Sequence, residues 1–75
     1  MPKLPVVSGA GAVKAFERAG WRVDRRKGSH IVMLKSGHIA SLSIPQHKEL
    51  SPGTLRSLIR ASGMTVEEFL SFLKR

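Results

Sequence analysis

Cysteine is absent from this 75-residue chain, which excludes disulfides and thiolate metal sites. Long apolar runs are missing as well. The longest, such as Ile31-Val32-Met33-Leu34, stop at four or five residues, far short of the roughly 20 that a membrane-spanning helix needs. Residues 1–7 hold no extended apolar segment of the secretory kind, so the expected location is cytoplasmic. Aromatic residues are few, with no tyrosine, three phenylalanines and one tryptophan. Phe16, Trp21, Phe69 and Phe72 all fall at periodic apolar positions or at a helix–strand junction, where they serve a core. No platform of exposed rings for stacking on single-stranded bases is left over. Acids are scarce too: five Asp and Glu stand against thirteen Lys and Arg, a formal net charge of +8. An excess of this size concentrates polyanions and speeds their encounter. Nucleic acid is the first partner it suggests, an anionic membrane surface the second and an acidic protein the third; the plain alternative is a soluble basic domain. Recognition through backbone and shape fits better than recognition through stacked bases.

The length allows one domain, residues 1–75, close to the lower limit for a single stable core. Without staples it needs an efficient core, or a partner that buries more surface. Neither repeats, low-complexity stretches nor linkers interrupt it. Ser8 can cap a first helix over about 9–19, closed by Gly20, with Val13, Phe16 and nearby alanines on its apolar side. Gly9 and Gly11 weaken its first turn. Trp21 and Val23 alternate with Arg22 and Asp24, the period of a half-buried strand. Lys27-Gly28 turns the chain into a second strand over about 29–35. Ser36-Gly37 carries a two-residue hairpin signal, so a third strand is expected over about 38–44, stopped by Pro45. Ser51-Pro52 opens a second helix with Leu55, Leu58 and Ile59 on one stripe, and Gly63 closes it. Thr65-Val66-Glu67-Glu68 reads as a capping box for a short last helix that turns Phe69, Leu70, Phe72 and Leu73 inward. The expected fold is α+β, in the order α-β-β-β-α with a short extra C-terminal helix. A three-stranded antiparallel sheet carries the helices on one face and leaves the other open.

Several familiar chemistries fail on spacing. His30, His38 and His47 contain no helical i, i+4 pair and have no carboxylate cluster beside them, so a metal site is not expected. Gly9-Ala10-Gly11 does not continue into a nucleotide-binding G-x-G-x-x-G, because position 14 is Lys14. A Ser/His/Asp triad would need the lone Asp24 and lacks a nucleophile elbow. His38 reads as a solvated strand end and His47 as an exposed loop residue, with a part in binding as its functional alternative. His30 differs from both, since it follows the turn Gly28-Ser29 and opens the apolar second strand. Arg25-Arg26-Lys27 immediately precedes that turn. A regular first strand would put Arg22, Asp24 and Arg26 on one face. Fixed cations favour charge developing on phosphoryl oxygens. An imidazole beside them can accept the proton of a ribose 2′-hydroxyl. Such a transesterification needs no metal and confines the substrate to RNA; with one histidine assigned, His47, Lys27 and water all stay open as the source of the proton for the leaving 5′-oxygen. The bland readings are a structural histidine bonded to a backbone carbonyl and a solvated basic edge strand that deters aggregation.

The segments Ala19-Gly20-Trp21, Lys27-Gly28-Ser29-His30, Ile44-Pro45-Gln46-His47 and Lys48-Glu49-Leu50-Ser51-Pro52-Gly53-Thr54-Leu55 together resemble the HicA (YcfA-like) toxins of toxin–antitoxin pairs. Leu4-Pro5-Val6-Val7-Ser8-Gly9 fits too, and the similarity runs in order from Leu4 to about Leu73. The resemblance implies a fold like that of double-stranded-RNA-binding domains and a metal-independent mRNA interferase with no small-molecule cofactor. Its catalytic histidine falls on His30, and Arg26, Lys27, Gly28 and Ser29 are the expected RNA-binding residues. The implied partners are mRNA and a HicB-type antitoxin that covers the active site, with no membrane. Two rivals stand beside it: a non-catalytic double-stranded RNA binder of the same fold, and a pure protein-interaction domain.

Overall fold

The structure, a computed structural model, describes residues 3–74. Met1, Pro2 and Arg75 lie outside the described residues, and with them the ends of the expected 1–75 domain and of its opening segment. Six elements follow one another: α1 (Gly9–Arg18), β1 (Arg22–Lys27), β2 (His30–Leu34), β3 (Leu42–Pro45), α2 (Pro52–Ala61) and α3 (Val66–Leu73). The strands form one antiparallel sheet in the order β1-β2-β3. This is the expected α+β order with the additional last helix.

Each helix begins where a hydroxyl can satisfy its first free N–H groups. Ser8 Oγ accepts from Gly11 N, Ser51 Oγ from Thr54 N, and Thr65 Oγ1 from Glu68 N. Glu68 returns the favour to the Thr65 N–H, completing the capping box. α1 ends in a Schellman motif: Trp21 N donates to Phe16 O and Gly20 N to Glu17 O, with Gly20 at φ 102°. The hydrophobic contact that accompanies such a motif is present as Phe16 edge-on to Trp21, ring centroids 6.5 Å apart. At the end of α2, the buried Ser62 hydroxyl donates to Ile59 O and accepts from Met64 N, relaying the bond that a second Schellman motif would make directly.

The core lies between the helices and one face of the sheet. Phe16 and Phe69 touch at 5.1 Å between ring centroids, against Met33, Leu42, Ile44 and Leu55, all essentially inaccessible to solvent. Of the last helix, Phe69 is fully buried and Phe72 and Leu73 pack against the cluster, whereas Leu70 is only half-buried and stands outside it.

Two expectations about the strands are corrected. Ser36-Gly37 does not make a two-residue hairpin, and β3 starts at Leu42 rather than near residue 38. Ser36-Gly37 forms the centre of a type II turn, with His38 N donating to Lys35 O and Gly37 at φ 80°. The chain then runs unpaired to Leu42, opposite Met33. The tight hairpin is at Gly28-Ser29 instead. Lys27 pairs with His30, and φ is positive only at Gly28 (60°), the II′ pattern whose twist matches the flanking strands.

The second correction concerns β1. It is not regular: Val23 pairs with Met33 and Arg25 with Val32, leaving Asp24 as a bulge. A bulge reverses the alternation of every residue beyond it. Directly opposed residues share a face, so Arg22, Arg25 and Lys27 belong to the row of Leu34, Val32 and His30. That row faces away from the helices, since Ile31 and Met33 are the β2 residues in the core cluster. The expected face of Arg22, Asp24 and Arg26 does not exist, and Arg26 joins the opposite row, opposite Ile31.

Candidate active site at the hairpin end of the sheet

Every residue from Arg22 to His30 is exposed, an unbroken stretch that ends at the histidine. β1 is an edge strand with no further strand on its outer side, and all six of its residues are exposed. His30 stands in the middle strand, with Lys27 opposite it on β1 and Pro45 opposite it on β3. Its ring makes no hydrogen bond or ion pair to another described residue. A histidine donating to a backbone carbonyl is therefore not what the structure shows. His30 is rigid in its backbone and uncommitted in its side chain.

The hairpin itself is braced from both sides. Ser29 O accepts from Gln46 N at 2.7 Å, which ties the turn to the end of β3. Arg26 Nε donates to Gly28 O at 3.3 Å. That bond uses one of the five guanidinium donors and leaves the Nη groups at the rim. Arg25 Nη1 meets Asp24 Oδ2 at 2.8 Å between neighbouring, largely exposed side chains, a pair of small energetic weight. It is the one salt bridge among the described residues. Lys27 makes none and remains a free cation beside His30.

The β3 side of the site is set by α1. Gly9 N donates to His47 O at 2.9 Å, and Leu50 N to Val7 O at 2.8 Å, so the 46–50 loop is laced to the segment before α1. A Cβ on Gly9 would run into Pro45 O and come within 2.8 Å of Gln46 Cα, so only glycine lets the two chains meet here. The glycine that weakens the first turn of α1 in isolation is thus required by the packing.

Of the expected RNA-binding residues, Lys27 lies on the His30 face. Gly28 and Ser29 form the turn, and Arg26 braces it from the other row. Arg25 lies on the His30 face by its register with Lys27, and Arg22 joins it there because the bulge lies between them; a negatively charged residue inside a strand was the bulge's single hint. The remaining histidines divide. His38, expected as a solvated strand end, is half-buried and set against Trp21 in a tilted ring contact, 4.9 Å between ring centroids, with its Nδ1 accepting from Ala40 N. His47 is exposed, as expected of a loop, but lies at the same end of the sheet as His30. No group of three or more His, Asp or Glu able to hold a metal occurs among the described residues. No helix among them is long and apolar enough to cross a membrane.

Residues 10–64 match the family described as "HicA toxin of bacterial toxin-antitoxin". Among solved structures, a chain of a toxin–antitoxin complex from Streptococcus pneumoniae is 34% identical and superimposes with a TM-score of 0.69, covering 77% of this chain and 98% of that one. No curated protein matches. The match over most of the chain agrees with the element order and with the segments around His30 and His47: the chain belongs to the HicA family of toxins from bacterial toxin–antitoxin pairs.

Proposed function

We propose that this toxin is an endoribonuclease that cleaves mRNA in the cytoplasm, with His30 as its catalytic residue, and that a HicB-type antitoxin neutralises it by covering the exposed hairpin. One observation carries the reading. An uncommitted, exposed imidazole is held by paired strands on both sides, with a free lysine directly opposite on the open face. His30 in its neutral form takes the proton of a ribose 2′-hydroxyl, and the 2′-oxygen attacks the adjacent phosphorus. Lys27 and Arg25 hold the phosphate and offset the charge that builds on its non-bridging oxygens. Arg26 adds its Nη groups from the rim, and Gly28 and Ser29 present the turn to the backbone. The attacking group comes from the substrate, so the reaction asks for neither a metal nor a small-molecule cofactor. Specificity for RNA follows, because DNA has no 2′-hydroxyl. The family relation and the toxin–antitoxin complex of the similar structure support an antitoxin as protein partner.

The test is cleavage of a defined RNA in EDTA by the parent protein and His30→Ala. The expected result is a 2′,3′-cyclic phosphate end from the parent and a rate at least about 10²-fold lower from the variant. RNA binding by both proteins with cleavage by neither would instead favour a non-catalytic double-stranded RNA binder.

A further inference from the structure

Cleavage by His30 alone is incomplete: the 5′-oxygen that departs must receive a proton. We propose that His47 is the general acid that supplies it, an inference that rests on the ribonuclease reading above. The ladder between β2 and β3 continues one step past the strands, because Gln46 N donates to Ser29 O. Residues 29 and 46 are thus a hydrogen-bonded pair, and His30 and Pro45 are the non-hydrogen-bonded pair beside them. Proline sits there without loss, since that position needs no N–H. β3 ends at Pro45 and its pairing at Gln46; side chains of an extended chain return to the same face every second residue, and carrying that alternation one residue past the pairing puts His47 on the His30 row. Diagonal neighbours of this kind lie about 7–8 Å apart. The two imidazoles can therefore converge on one phosphoryl group.

The fixing of His47 is entirely through its main chain. Gly9 N holds its carbonyl, and the bare Cα of Gly9 admits the Pro45-Gln46 backbone against α1. The His47 ring itself is exposed and has no hydrogen bond or ion pair to another described residue. The motif Ile44-Pro45-Gln46-His47 and the glycine at the start of α1 thus serve one purpose, to hold a second imidazole across from the first.

In-line displacement puts the attacking and leaving oxygens on opposite sides of phosphorus, so base and acid must approach from two sides. His30 accepts the 2′-proton as the 2′-oxygen bonds to phosphorus. The bond from phosphorus to the 5′-oxygen breaks, its electron pair stays with that oxygen, and the His47 imidazolium protonates it. The products are a 2′,3′-cyclic phosphate and a free 5′-hydroxyl. The protein is left with His30 protonated and His47 neutral, and proton exchange with water restores both. Lys27 is less suited to this step. An acid works best when its proton is poised near the working pH, which an imidazolium satisfies and an ammonium does not.

The deciding experiment compares two RNAs of the same sequence, one natural and one with sulfur replacing the bridging 5′-oxygen at the cleaved linkage. A thiolate leaves without needing a proton. His47→Ala is expected to cleave the natural RNA at least about 10²-fold more slowly than the parent, and the sulfur RNA within a few-fold of it. His30→Ala should remain slow on both, because the 2′-hydroxyl must still be deprotonated. Equal slowing of His47→Ala on both substrates, or parental speed on natural RNA, would overturn the assignment. His30→Ala cutting at the parental rate would sink the ribonuclease reading of His30, while sulfur rescue of His47→Ala would still judge the acid. Because the His47 contact with Gly9 uses the backbone, the alanine variant retains it, and His47→Gln with unchanged RNA affinity serves as the check on folding.

Discussion

Gly28-Ser29-His30 and Ser36-Gly37-His38 carry nearly the same local signal, a glycine turn followed by a histidine, and both glycines have positive φ. The structure uses them in opposite ways. The first turn is closed inside the ladder, and its histidine is held by paired backbone with its ring in solvent. The second turn lies outside the ladder, and its ring provides the anchor. His38 packs at a tilt against the buried Trp21, accepts from Ala40 N, and its Nε2 faces the bare Cα of Gly63 in the α2–α3 connection. Where the backbone is fixed by pairing, the side chain is available for chemistry; where it is not, the side chain must fix it. Exposure also differs in kind. In the 35–41 loop Ile39 is fully solvent-exposed, an apolar residue at a tip with no charge beside it. The hairpin instead concentrates Arg25, Arg26 and Lys27.

The sharpest way to break this comparison is to exchange the expected losses. His30→Ala should remove activity and leave thermal stability within about 0.5 kcal/mol, as for surface substitutions generally. His38→Ala should do the reverse. Losing a tilted ring contact and one hydrogen bond costs about 1–2 kcal/mol. In a domain of this size that lowers Tm by roughly 4–8 °C per kcal/mol, with cleavage per folded molecule unchanged. Calorimetry and RNA cleavage on the same two preparations decide the matter. A stability loss at His30, or an activity loss at His38 in fully folded protein, would show that the two rings are not divided in this way.

The glycines give a smaller and more selective effect. A Cβ at Gly28 or Gly37 meets no atom within 4 Å, so alanine at either site is opposed by backbone conformation alone. That opposition is about 1–2 kcal/mol for an L-residue at positive φ. Both variants should therefore melt earlier by similar amounts. Only Gly28→Ala should also slow cleavage, because the II′ turn sets where Lys27 and His30 face each other. Equal kinetic effects from both would mean that the second turn also touches the substrate.

What could be read in the sequence, and what could not, divides along the same lines. Ser8, Ser51 and Thr65 cap their helices because a hydroxyl reaches N–H groups three residues on, and Gly20 and Gly63 end them by a conformation open to glycine. Those rules act within a turn of chain and were legible. The capping box was found whole. The bulge at Asp24 was not, because pairing between strands, not local preference, decides which residue is left over. The Ser36-Gly37 dipeptide is indeed a turn, yet whether a turn closes a hairpin depends on what pairs beyond it. His38 looked like a solvated strand end since Trp21 and Gly63, which enclose it, lie 17 and 25 positions away in the chain. His30 was legible as a candidate because turn, strand and cations adjoin it in sequence. His47 was legible only as one of three sources for the leaving-group proton, beside Lys27 and water, for its place is set by Gly9, 38 positions earlier in the chain and in contact with it in the fold.

The smallest expected effect concerns two lysines, one from each region. Lys27 is exposed, opposite His30 and free of partners. Lys35 is half-buried, its Cε only 3.3 Å from the position a Cβ on Gly20 would take, so its stem lies along the end of α1. There the ammonium is near the negative end of the helix dipole. Both lysines contribute one charge to the total, and a purely diffuse attraction for RNA would lose equally from either substitution. A phosphate contact would not. Each neutralised phosphate on a single strand contributes about 0.7 to the slope of log affinity against log salt. Lys27→Ala should lower that slope by about this amount, and Lys35→Ala should leave it nearly unchanged. Equal slopes for the two variants would show that Lys27 holds no phosphate and that its share of the +8 charge acts only as part of a diffuse field.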